Sequence, residues 1–177
     1  MMNQKKSAIF LDRDGVLNKL IMRNGKAQAP YTIDEFELYP GVIEALEIIK
    51  AKNYLAIVVT NQPDVSRGWV PLESVELINN KIRELLPIDD IKICFHENHH
   101  NCHCRKPLPG MLLDAAKEWN IDLISSFMIG DRFGDIGAGH KAGCKTILIG
   151  KGDEQKNFPD PDYRADLLID AIKQVIC

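Results

Sequence analysis

Two aspartates separated by one residue, Asp12 and Asp14, stand at the end of an apolar segment near the amino terminus. The segment of residues 7–12 is short and is followed by Gly15, which is typical of a buried strand that ends in a turn. One carboxylate at such a position can attack an electrophile and help to hold a divalent cation, and the other can transfer a proton. Asp-x-Asp is also a common polar turn, so the pair gains meaning only from matching polar residues later in the chain.

Polar residues also come directly after two other apolar segments that predict buried strands. Residues 54–60 form a continuous run rich in β-branched side chains that ends in Thr60 and is followed by Asn61. Residues 126–130 form a second run, which precedes Asp131. Such runs are typical of a parallel sheet that is covered on both faces. Because the carboxyl ends of parallel strands share one edge of a sheet, we expect these polar groups to meet the two aspartates there.

Basic residues between these strands complete the groups that phosphoryl transfer requires. That reaction needs neutralisation of charge, in-line positioning and an acid–base group. Lys106 and the hydroxyl of Thr60 can bind the transferring phosphoryl group. Arg105, or Arg67 in the loop of residues 62–70, can bind a second anion. Each residue alone also has a structural explanation, but their joint occurrence at predicted strand ends favours a site.

Strands and helices alternate along the chain, which predicts an α/β fold with a parallel sheet and right-handed crossovers. The predicted strands are residues 7–12, 54–60, 88–95, 126–130 and 145–149, with a short edge strand at 166–169. The predicted helices begin at Pro40–Gly41, cover 71–86, 110–119 and 133–142, and close the chain at 170–176. The connection of residues 13–40 is unusually long, which is typical of a functional loop.

The composition is that of one globular domain, which we expect to span residues 1–177. The chain has 45% hydrophobic and 27% charged residues and a formal net charge of −3, so no basic surface indicates nucleic acid as a partner. It has no apolar run long enough to span a bilayer and no signal-peptide pattern, so we expect a cytoplasmic protein without a membrane partner. We also expect a monomer, because no apolar stripe is left over.

Three of the five cysteines lie close together in one segment. Cys94 and His96 form one pair and Cys102 and Cys104 another, a spacing typical of a metal site rather than of a disulfide framework. Three thiolates and one imidazole suit a closed, structural Zn²⁺ site, in a compartment that keeps thiols reduced. A cluster of free or redox-active cysteines is the alternative. The histidines that compete with His96 as ligands are His99, His100 and His103.

Four ordered motifs span the chain: Asp12-Arg13-Asp14-Gly15, Thr60-Asn61-Gln62, Arg105-Lys106-Pro107 and Gly130-Asp131-Arg132-x-x-Asp135. Together they resemble the four motifs of the haloacid dehalogenase (HAD) superfamily. The resemblance implies a Rossmann-like three-layer sandwich with a parallel sheet and a phosphatase activity. It also implies that Asp12 is the nucleophile, which forms an aspartyl-phosphate, and that Asp14 is the general acid and base.

The same resemblance implies functions for the remaining motif residues. Mg²⁺ would bind Asp12, the carbonyl of Asp14 and Asp131. Asp135 would support the site by orienting Lys106 or metal-bound water. The residues expected to hold the phosphoryl group or the substrate are Thr60, Asn61, Arg67, Arg105 and Lys106.

The cysteine segment limits the resemblance to one group within the superfamily. Cys-x-His, followed by Cys-x-Cys-Arg-Lys-Pro-x-Pro-Gly-Met within residues 94–111, resembles the zinc-bearing heptose 1,7-bisphosphate phosphatases and the related histidinol-phosphate phosphatases. These enzymes have a capless HAD fold, so the loops 19–39 and 62–70 and the zinc-binding loop would control access to the site.

This narrower resemblance implies a small phosphorylated substrate and leaves its identity open. One substrate is D-glycero-D-manno-heptose 1,7-bisphosphate, which would lose its 7-phosphate on the route to nucleotide-activated heptose for surface polysaccharide. The alternative is histidinol phosphate or another small phosphate; a cationic substrate of that kind would need acidic loop residues, and Asp34, Glu35 and Glu37 are available. The third hypothesis is a zinc-stabilised binding module without turnover, which the intact acidic set disfavours.

Overall fold

The computed structural model describes residues 5–153 and 157–177, and in it strands and helices alternate as the apolar pattern predicts. The strands are β1 (Ala8–Leu11), β2 (Ile21–Arg23), β3 (Lys26–Gln28), β4 (Leu55–Asn61), β5 (Asp90–Cys94), β6 (Phe127–Gly130), β7 (Lys145–Ile149) and β8 (Tyr163–Ala165). The helices are α1 (Val42–Ala51), α2 (Pro63–Ser66), α3 (Leu72–Leu85), α4 (Gly110–Trp119), α5 (Phe133–Ala142) and α6 (Leu168–Ile176), with a single 3₁₀ turn at Ile33–Glu35. None of the described helices is long and apolar enough to cross a membrane.

Six strands form one parallel sheet in the order β5-β4-β1-β6-β7-β8. β1 lies near the centre, where all four of its residues are buried. Its last residue, Leu11, is opposite Val58 of β4 on one side and Ile129 of β6 on the other. The segments that come after β1, β4 and β6 therefore leave the sheet side by side at one edge.

Alternate residues of β1 serve two separate cores. Ile9 and Leu11 pack in a cluster with buried residues of α1, α3 and α6. Ala8 and Phe10 face the opposite way and pack with residues of α4 and α5. Because successive side chains of a strand point to opposite faces, this central strand must be covered twice. The result is the predicted three-layer α/β sandwich with a parallel sheet.

The long connection between β1 and α1 contains a hairpin where the sequence predicts only a loop. β2 and β3 pair antiparallel, with Ile21 opposite Gln28. The turn between them consists of Asn24 and Gly25, which have φ angles of 50° and 72°. Two left-handed residues at the turn match the twist of a two-residue hairpin, and Asn-Gly is the pair that adopts them most easily. The exit loop of β4 likewise contains a short helix, α2.

The predicted edge strand at 166–169 was wrong. The structure places the edge strand β8 at Tyr163–Ala165, where Ala165 is opposite Ile149 of β7. Leu168 and Ile169 instead begin α6 and are buried in the larger core. Their apolar pair repeats three residues later at Ala171 and Ile172, which is a helical and not a strand period.

Candidate active site

Three strand ends bring carboxylates and a hydroxyl to one edge of the sheet. Asp12 comes after β1, and its backbone N–H donates to the carbonyl of Ile129 in β6 at 2.9 Å. Thr60 lies near the end of β4, and Asp131 comes directly after β6. Gly15 passes close to Asp131 with a φ of +94°, and a Cβ on it would lie 2.2 Å from Asp131 Oδ2. A residue with a side chain does not fit this approach, so the Asp12-x-x-Gly15 spacing is a packing requirement of the site.

Lys106 lies among these carboxylates, with only 4% of its side chain exposed. Its Nζ is 2.8 Å from Asp12 Oδ1, 2.6 Å from Asp135 Oδ1 and 2.8 Å from the carbonyl oxygen of Val59. Burial alone would lower the pKa of Lys106, but the charges and hydrogen bonds of the two carboxylates outweigh burial and raise this pKa. Lys106 is therefore a fixed cation beside Asp12.

Three carboxylates form an acidic cluster that fits a cation. Oxygens of Asp12, Asp131 and Asp135 lie within 4.8 Å of one another. Burial raises the pKa of Asp12 to about 6. The positive charge of Lys106 opposes this rise only in part, and the negative charges of Asp135 and Asp14 add to it. Burial and the charges of Asp12 and Asp135 likewise raise the pKa of Asp131 to about 8. In the described part of the chain, the buried Oδ1 of Asp131 has no hydrogen-bond partner. A divalent cation with oxygen ligands would relieve this repulsion and satisfy that atom.

Asp14 is held by three side chains that the sequence alone does not assign to the site. Gln62 Nε2 donates to Asp14 Oδ2 at 2.6 Å and to Thr60 Oγ1 at 2.9 Å. Asn18 Nδ2 donates to Asp14 Oδ1 at 3.0 Å, and Arg13 Nε lies 3.1 Å from the same oxygen. These donors set the position of the Asp14 carboxylate at the cavity. Gln62 could have been found, because it completes the Thr60-Asn61-Gln62 motif.

Arg13 is fully buried, which nothing in its local sequence indicates. Besides its contacts with Asp14, its NH1 donates to Asn79 Oδ1 of α3 at 3.0 Å. A buried guanidinium requires such partners because an unpaired buried charge is costly. The partner lies 66 positions away along the chain, so only the fold reveals it.

The other predicted substrate contacts lie around the same cavity. The amide of Asn61 makes two hydrogen bonds to the backbone of Lys106, at 3.1 and 3.2 Å. Arg105 donates to the carbonyl of His96 at 2.9 Å and to Asn98 Oδ1 at 2.7 Å. Arg67 forms ion pairs with two carboxylates, which occupy its Nε and one terminal nitrogen. Asn61 therefore holds the Lys106 segment, and the two arginines are fixed by neighbouring loops.

The structure brings Cys94, His96, Cys102 and Cys104 together, with their ligand atoms within 4.8 Å of one another. Cys104 Sγ is 2.9 Å from Cys94 Sγ and 3.3 Å from His96 Nδ1, and all the cysteines are free thiols. Burial, together with the neighbouring thiols, raises the pKa of Cys104 to about 12. Three thiolates this close need a cation to neutralise them, and three sulfur atoms with one imidazole suit a closed metal site.

Two of the three competing histidines, His100 and His103, have other hydrogen-bond partners. His100 Nδ1 accepts the backbone N–H of Glu97 at 2.9 Å. His103 Nε2 lies 2.9 Å from Asp114 Oδ2. His96 is the histidine whose ring nitrogen faces the three thiols, as its spacing in the sequence predicts.

Two residues of the acidic cluster, Asp12 and Asp135, line a cavity of about 420 Å³, called here the active-site cavity. It is lined by Asp12, Asp14, Ala27, Gln28, Ala29, Asn61, Gln62, Pro63, Asp64, Arg67, Trp69, Arg105, Lys106, Arg132, Gly134, Asp135, Asp153 and Phe158. Three of these residues are arginines, so the cavity combines a carboxylate pair at Asp12 and Asp14 with several cations. Such a cavity can bind a phosphorylated molecule and carry out transfer to a carboxylate.

Comparisons with known proteins identify the class of enzyme that this cavity suits. The HAD-hydrolase-like family model matches residues 103–175. The D-glycero-beta-D-manno-heptose-1,7-bisphosphate 7-phosphatase of Pasteurella multocida is 41% identical over 159 residues, which cover 83% of each chain. The D-glycero-alpha-D-manno-heptose-1,7-bisphosphate 7-phosphatase of Campylobacter jejuni is 36% identical over 149 residues, covering 82% of this chain and 83% of that protein.

A solved structure extends the match to nearly the whole chain. The D,D-heptose 1.7-bisphosphate phosphatase from B. bronchiseptica, in a complex with magnesium and phosphate, matches with a TM-score of 0.83 and 28% identity, over 96% of this chain and 97% of that one. The fold and the site thus define a HAD-like hydrolase, and the chain belongs to this family. Within the family it is a phosphatase, and the resemblance inferred from the four motifs is confirmed.

Proposed function

We propose that the chain, as one HAD-like domain over residues 1–177, removes the 7-phosphate of D-glycero-D-manno-heptose 1,7-bisphosphate. The reaction would serve the synthesis of nucleotide-activated heptose for surface polysaccharide, in the cytoplasm and by a monomer. The observation that carries the proposal is the active-site cavity, in which Lys106 Nζ lies 2.8 Å from Asp12 Oδ1 and three arginines face the same space. A molecule with two phosphates needs both a reacting centre and a second cation, and the names of the relatives support the sugar.

The first step is attack by Asp12 on phosphorus. Asp12 Oδ1 accepts hydrogen bonds from Lys106 Nζ and from the backbone N–H of Arg13, both at 2.8 Å, so Oδ2 is the oxygen that attacks. As the bond from phosphorus to the sugar oxygen breaks, Asp14 gives its proton to that oxygen. Lys106 and the hydroxyl of Thr60 bind the oxygens of the transferring phosphoryl group, which carry the growing negative charge.

The second step returns the enzyme to its starting state. Asp14, now ionised, takes a proton from water as the water oxygen attacks the phosphorus of the aspartyl-phosphate. The bond between phosphorus and Asp12 then breaks, which releases inorganic phosphate and leaves both carboxyl groups as they began. Gln62 and Asn18 keep Asp14 in place for both transfers, and Asn61 and Asp135 position Lys106.

The two groups of candidate ligands fit two metal ions. Mg²⁺ would bind Asp12, Asp131 and the backbone carbonyl of Asp14, and it would neutralise charge on the phosphoryl oxygens. The orphaned Oδ1 of Asp131 supports this assignment. Structural Zn²⁺ would bind the Cys94, His96, Cys102 and Cys104 set and would fix the segment that leads into Arg105 and Lys106. Asp135 is a positioning residue in this proposal, because its Oδ1 pairs with Lys106 and its Oδ2 accepts the N–H of Arg132.

Two observations favour the sugar bisphosphate over histidinol phosphate. A cationic substrate would need the free acids of the long loop, but Glu35 pairs with Arg23 and Glu37 with Lys19. Neither these residues nor Asp34 lines the active-site cavity. Arg105 is the better candidate for the second phosphate, because its acceptors are a carbonyl and an amide oxygen, which are neutral.

The test is Mg²⁺-dependent phosphate release from heptose 1,7-bisphosphate and from histidinol phosphate, measured side by side. We expect a preference for the bisphosphate, and the α and β anomers should be assayed separately. Asp12→Asn should abolish turnover while the circular dichroism spectrum stays native, and Asp170→Asn, on an exposed carboxylate of α6, should be as active as wild type. A preference for histidinol phosphate would overturn the substrate, and substantial activity of Asp12→Asn would overturn the nucleophile.

A further inference from the structure

Trp69 is 60% exposed although it lines the active-site cavity. None of the core clusters of the described residues includes it. The other tryptophan, Trp119, packs against a core cluster and donates its Nε1–H to Asp90 at 3.0 Å. The second aromatic residue of the cavity, Phe158, packs against the cluster around Phe133. Trp69 therefore contributes little to folding, and its exposed indole needs a different explanation.

The backbone fixes where this indole lies. Gly68 precedes it with a φ of +72°, a conformation that residues with side chains rarely adopt. The N–H of Trp69 donates to the carbonyl of Asp64 at 2.9 Å. The guanidinium of Arg67 lies 5.1 Å from the centroid of the indole, within the range of a cation–π contact. The ring is thus held at the cavity by its own loop.

Arg67 is in turn held by two carboxylates. Its NH1 is 2.9 Å from Asp64 Oδ1, and its Nε is 2.8 Å from Glu97 Oε2 in the cysteine segment. These acids compensate its charge, so a phosphate would have to displace them in order to bind it. The Tyr31 hydroxyl also donates to Asp64, at 3.2 Å, which ties the loop of residues 13–40 to the same group. Arg67 is better placed to position Trp69 than to bind an anion.

We propose that Trp69 is a specificity-determining residue whose indole face stacks on the carbon-bearing face of the sugar ring of the substrate, and that Arg67 positions it. The inference rests on the proposed function and adds the group that recognises the ring between the two phosphates. A pyranose presents C–H groups on one face, and covering them with an exposed indole removes apolar surface of both partners from water. The cations of the cavity recognise the phosphates, whereas Trp69 distinguishes a sugar phosphate from a small acyclic one.

Kinetics on two substrates test this recognition. Trp69→Ala should raise the KM for heptose 1,7-bisphosphate about tenfold and change kcat less than about twofold, because the contact lies away from the reacting atoms. The same variant should leave hydrolysis of glycerol phosphate, which has no ring, unchanged. Trp69→Phe should restore most of the affinity. If Trp69→Ala lowers kcat/KM equally for the two substrates, or lowers it for neither, the proposal is overturned.

A binding experiment separates this proposal from the proposed function. The chain has two tryptophans, so Trp119→Phe leaves Trp69 as the only indole. In the Asp12→Asn, Trp119→Phe protein, heptose 1,7-bisphosphate should shift or quench the emission, and inorganic phosphate alone should not. The matched Asp12→Asn, Trp69→Phe protein should stay silent with both. If the emission of Trp69 responds to the bisphosphate but the wild-type protein does not hydrolyse it, the proposed reaction is overturned and the stacking contact stands. If the emission does not respond, the stacking contact is overturned.

A double-mutant cycle decides what Arg67 does. If Arg67 acts through Trp69, Arg67→Ala should raise the KM for the bisphosphate in the wild-type background and cause no further rise in the Trp69→Ala background. Full additivity of the two effects would show a direct contact with phosphate and overturn its positioning function. The remaining alternative is that the exposed indole is a contact between subunits. Sedimentation of the wild-type protein and of Trp69→Ala tests it, because a wild-type dimer that dissociates in the variant would overturn the proposal.

Discussion

The bottom of the active-site cavity and its entrance are built in different ways. The bottom consists of Asp12, Lys106 and Asp135, which line the cavity, together with Thr60 and Asp131 at the neighbouring strand ends of β4 and β6. Thr60 is 1% and Lys106 7% exposed. The entrance consists of Asp64, Arg67, Trp69 and the residues around Tyr31, which belong to loops and are joined by ion pairs and hydrogen bonds. The residues proposed for the reaction are therefore held by the sheet, whereas those proposed for recognition are held by contacts between loops. Changes at the bottom should therefore affect kcat and folding, and changes at the entrance should affect KM.

The largest effect is expected for Lys106→Met. It removes the cation that pairs with Asp12 and Asp135 at 2.8 and 2.6 Å and leaves buried carboxylates without compensation. We expect a loss of about 3–5 kcal/mol in the free energy of unfolding and no measurable turnover. Urea denaturation in the presence of a chelator is the measurement, with the exposed Lys117→Met as the control. Stability within about 0.5 kcal/mol of wild type would contradict the tight coupling of the bottom to the fold.

The cysteine segment lies between the two regions, because it precedes Lys106 and also holds Glu97. Cys104→Ser should abolish zinc binding and lower the free energy of unfolding, by about 4 kcal/mol where free zinc exceeds its Kd a thousandfold. The control is Cys177→Ser, since Cys177 is exposed and lies outside the metal-ligand group. A chelator should lower the melting temperature of the control to that of Cys104→Ser and leave Cys104→Ser unchanged. Equal responses of the two variants would exclude a metal at these residues.

Gln62→Leu is a sharper probe of the bottom, because it keeps all the charges. The variant loses the hydrogen bonds to Asp14 and Thr60 at 2.6 and 2.9 Å. Hydrogen bonds to charged groups contribute about 1.5–3 kcal/mol, so kcat should fall about 10–100-fold with little change in KM. Steady-state kinetics with the exposed Gln174→Leu as the control measure the effect. A rise in KM at constant kcat would place Gln62 with the entrance.

The smallest effect is expected at Tyr31→Phe. The change removes the hydroxyl that donates to Asp64 at 3.2 Å and leaves the ring over which Arg23 lies. Because a single hydrogen bond is worth about 0.5–1.5 kcal/mol, KM for the sugar bisphosphate should rise about two- to tenfold and kcat should stay constant. Tyr54→Phe, remote from the cavity, is the control. A fall in kcat would contradict the separation of the two regions.

Prediction from the sequence succeeds at the bottom of the cavity more than at its entrance. Asp12, Thr60 and Asp131 could be placed together because apolar runs identify parallel strands, and parallel strands end at a common edge. The three thiols could be grouped by their spacing, whereas the sequence left three histidines in competition with His96 as the fourth ligand. The buried position of Arg13 could not be predicted, because a charged residue in a turn looks exposed and its partner Asn79 is distant along the chain.

The loops of the entrance could be predicted from the sequence, but their internal contacts could not, for a related reason. The β2–β3 hairpin and the Tyr31–Asp64 contact depend on side chains that meet only after the sheet has formed. Likewise, β8 was misplaced because it has only three residues, and the stronger apolar pair Leu168 and Ile169 that comes after it belongs to α6. Local patterns determine the buried elements, whereas long-range polar contacts determine the loops.

Gly15 and Gly130 are packed so closely against acidic side chains that a methyl group on either would lie 2.1–2.2 Å from an atom of Asp131 or Asp135. A side chain at either position would therefore displace Asp131 or Asp135, each of which offers an oxygen within 4.8 Å of an oxygen of the reacting Asp12. Around Trp69 the restriction is of another kind: a Cβ on Gly68 would meet no atom within 4 Å, but the φ of +72° is one that residues with side chains rarely adopt. Trp69 itself is 60% exposed, so a different side chain there would change what the entrance presents to a substrate without displacing the acids at the bottom.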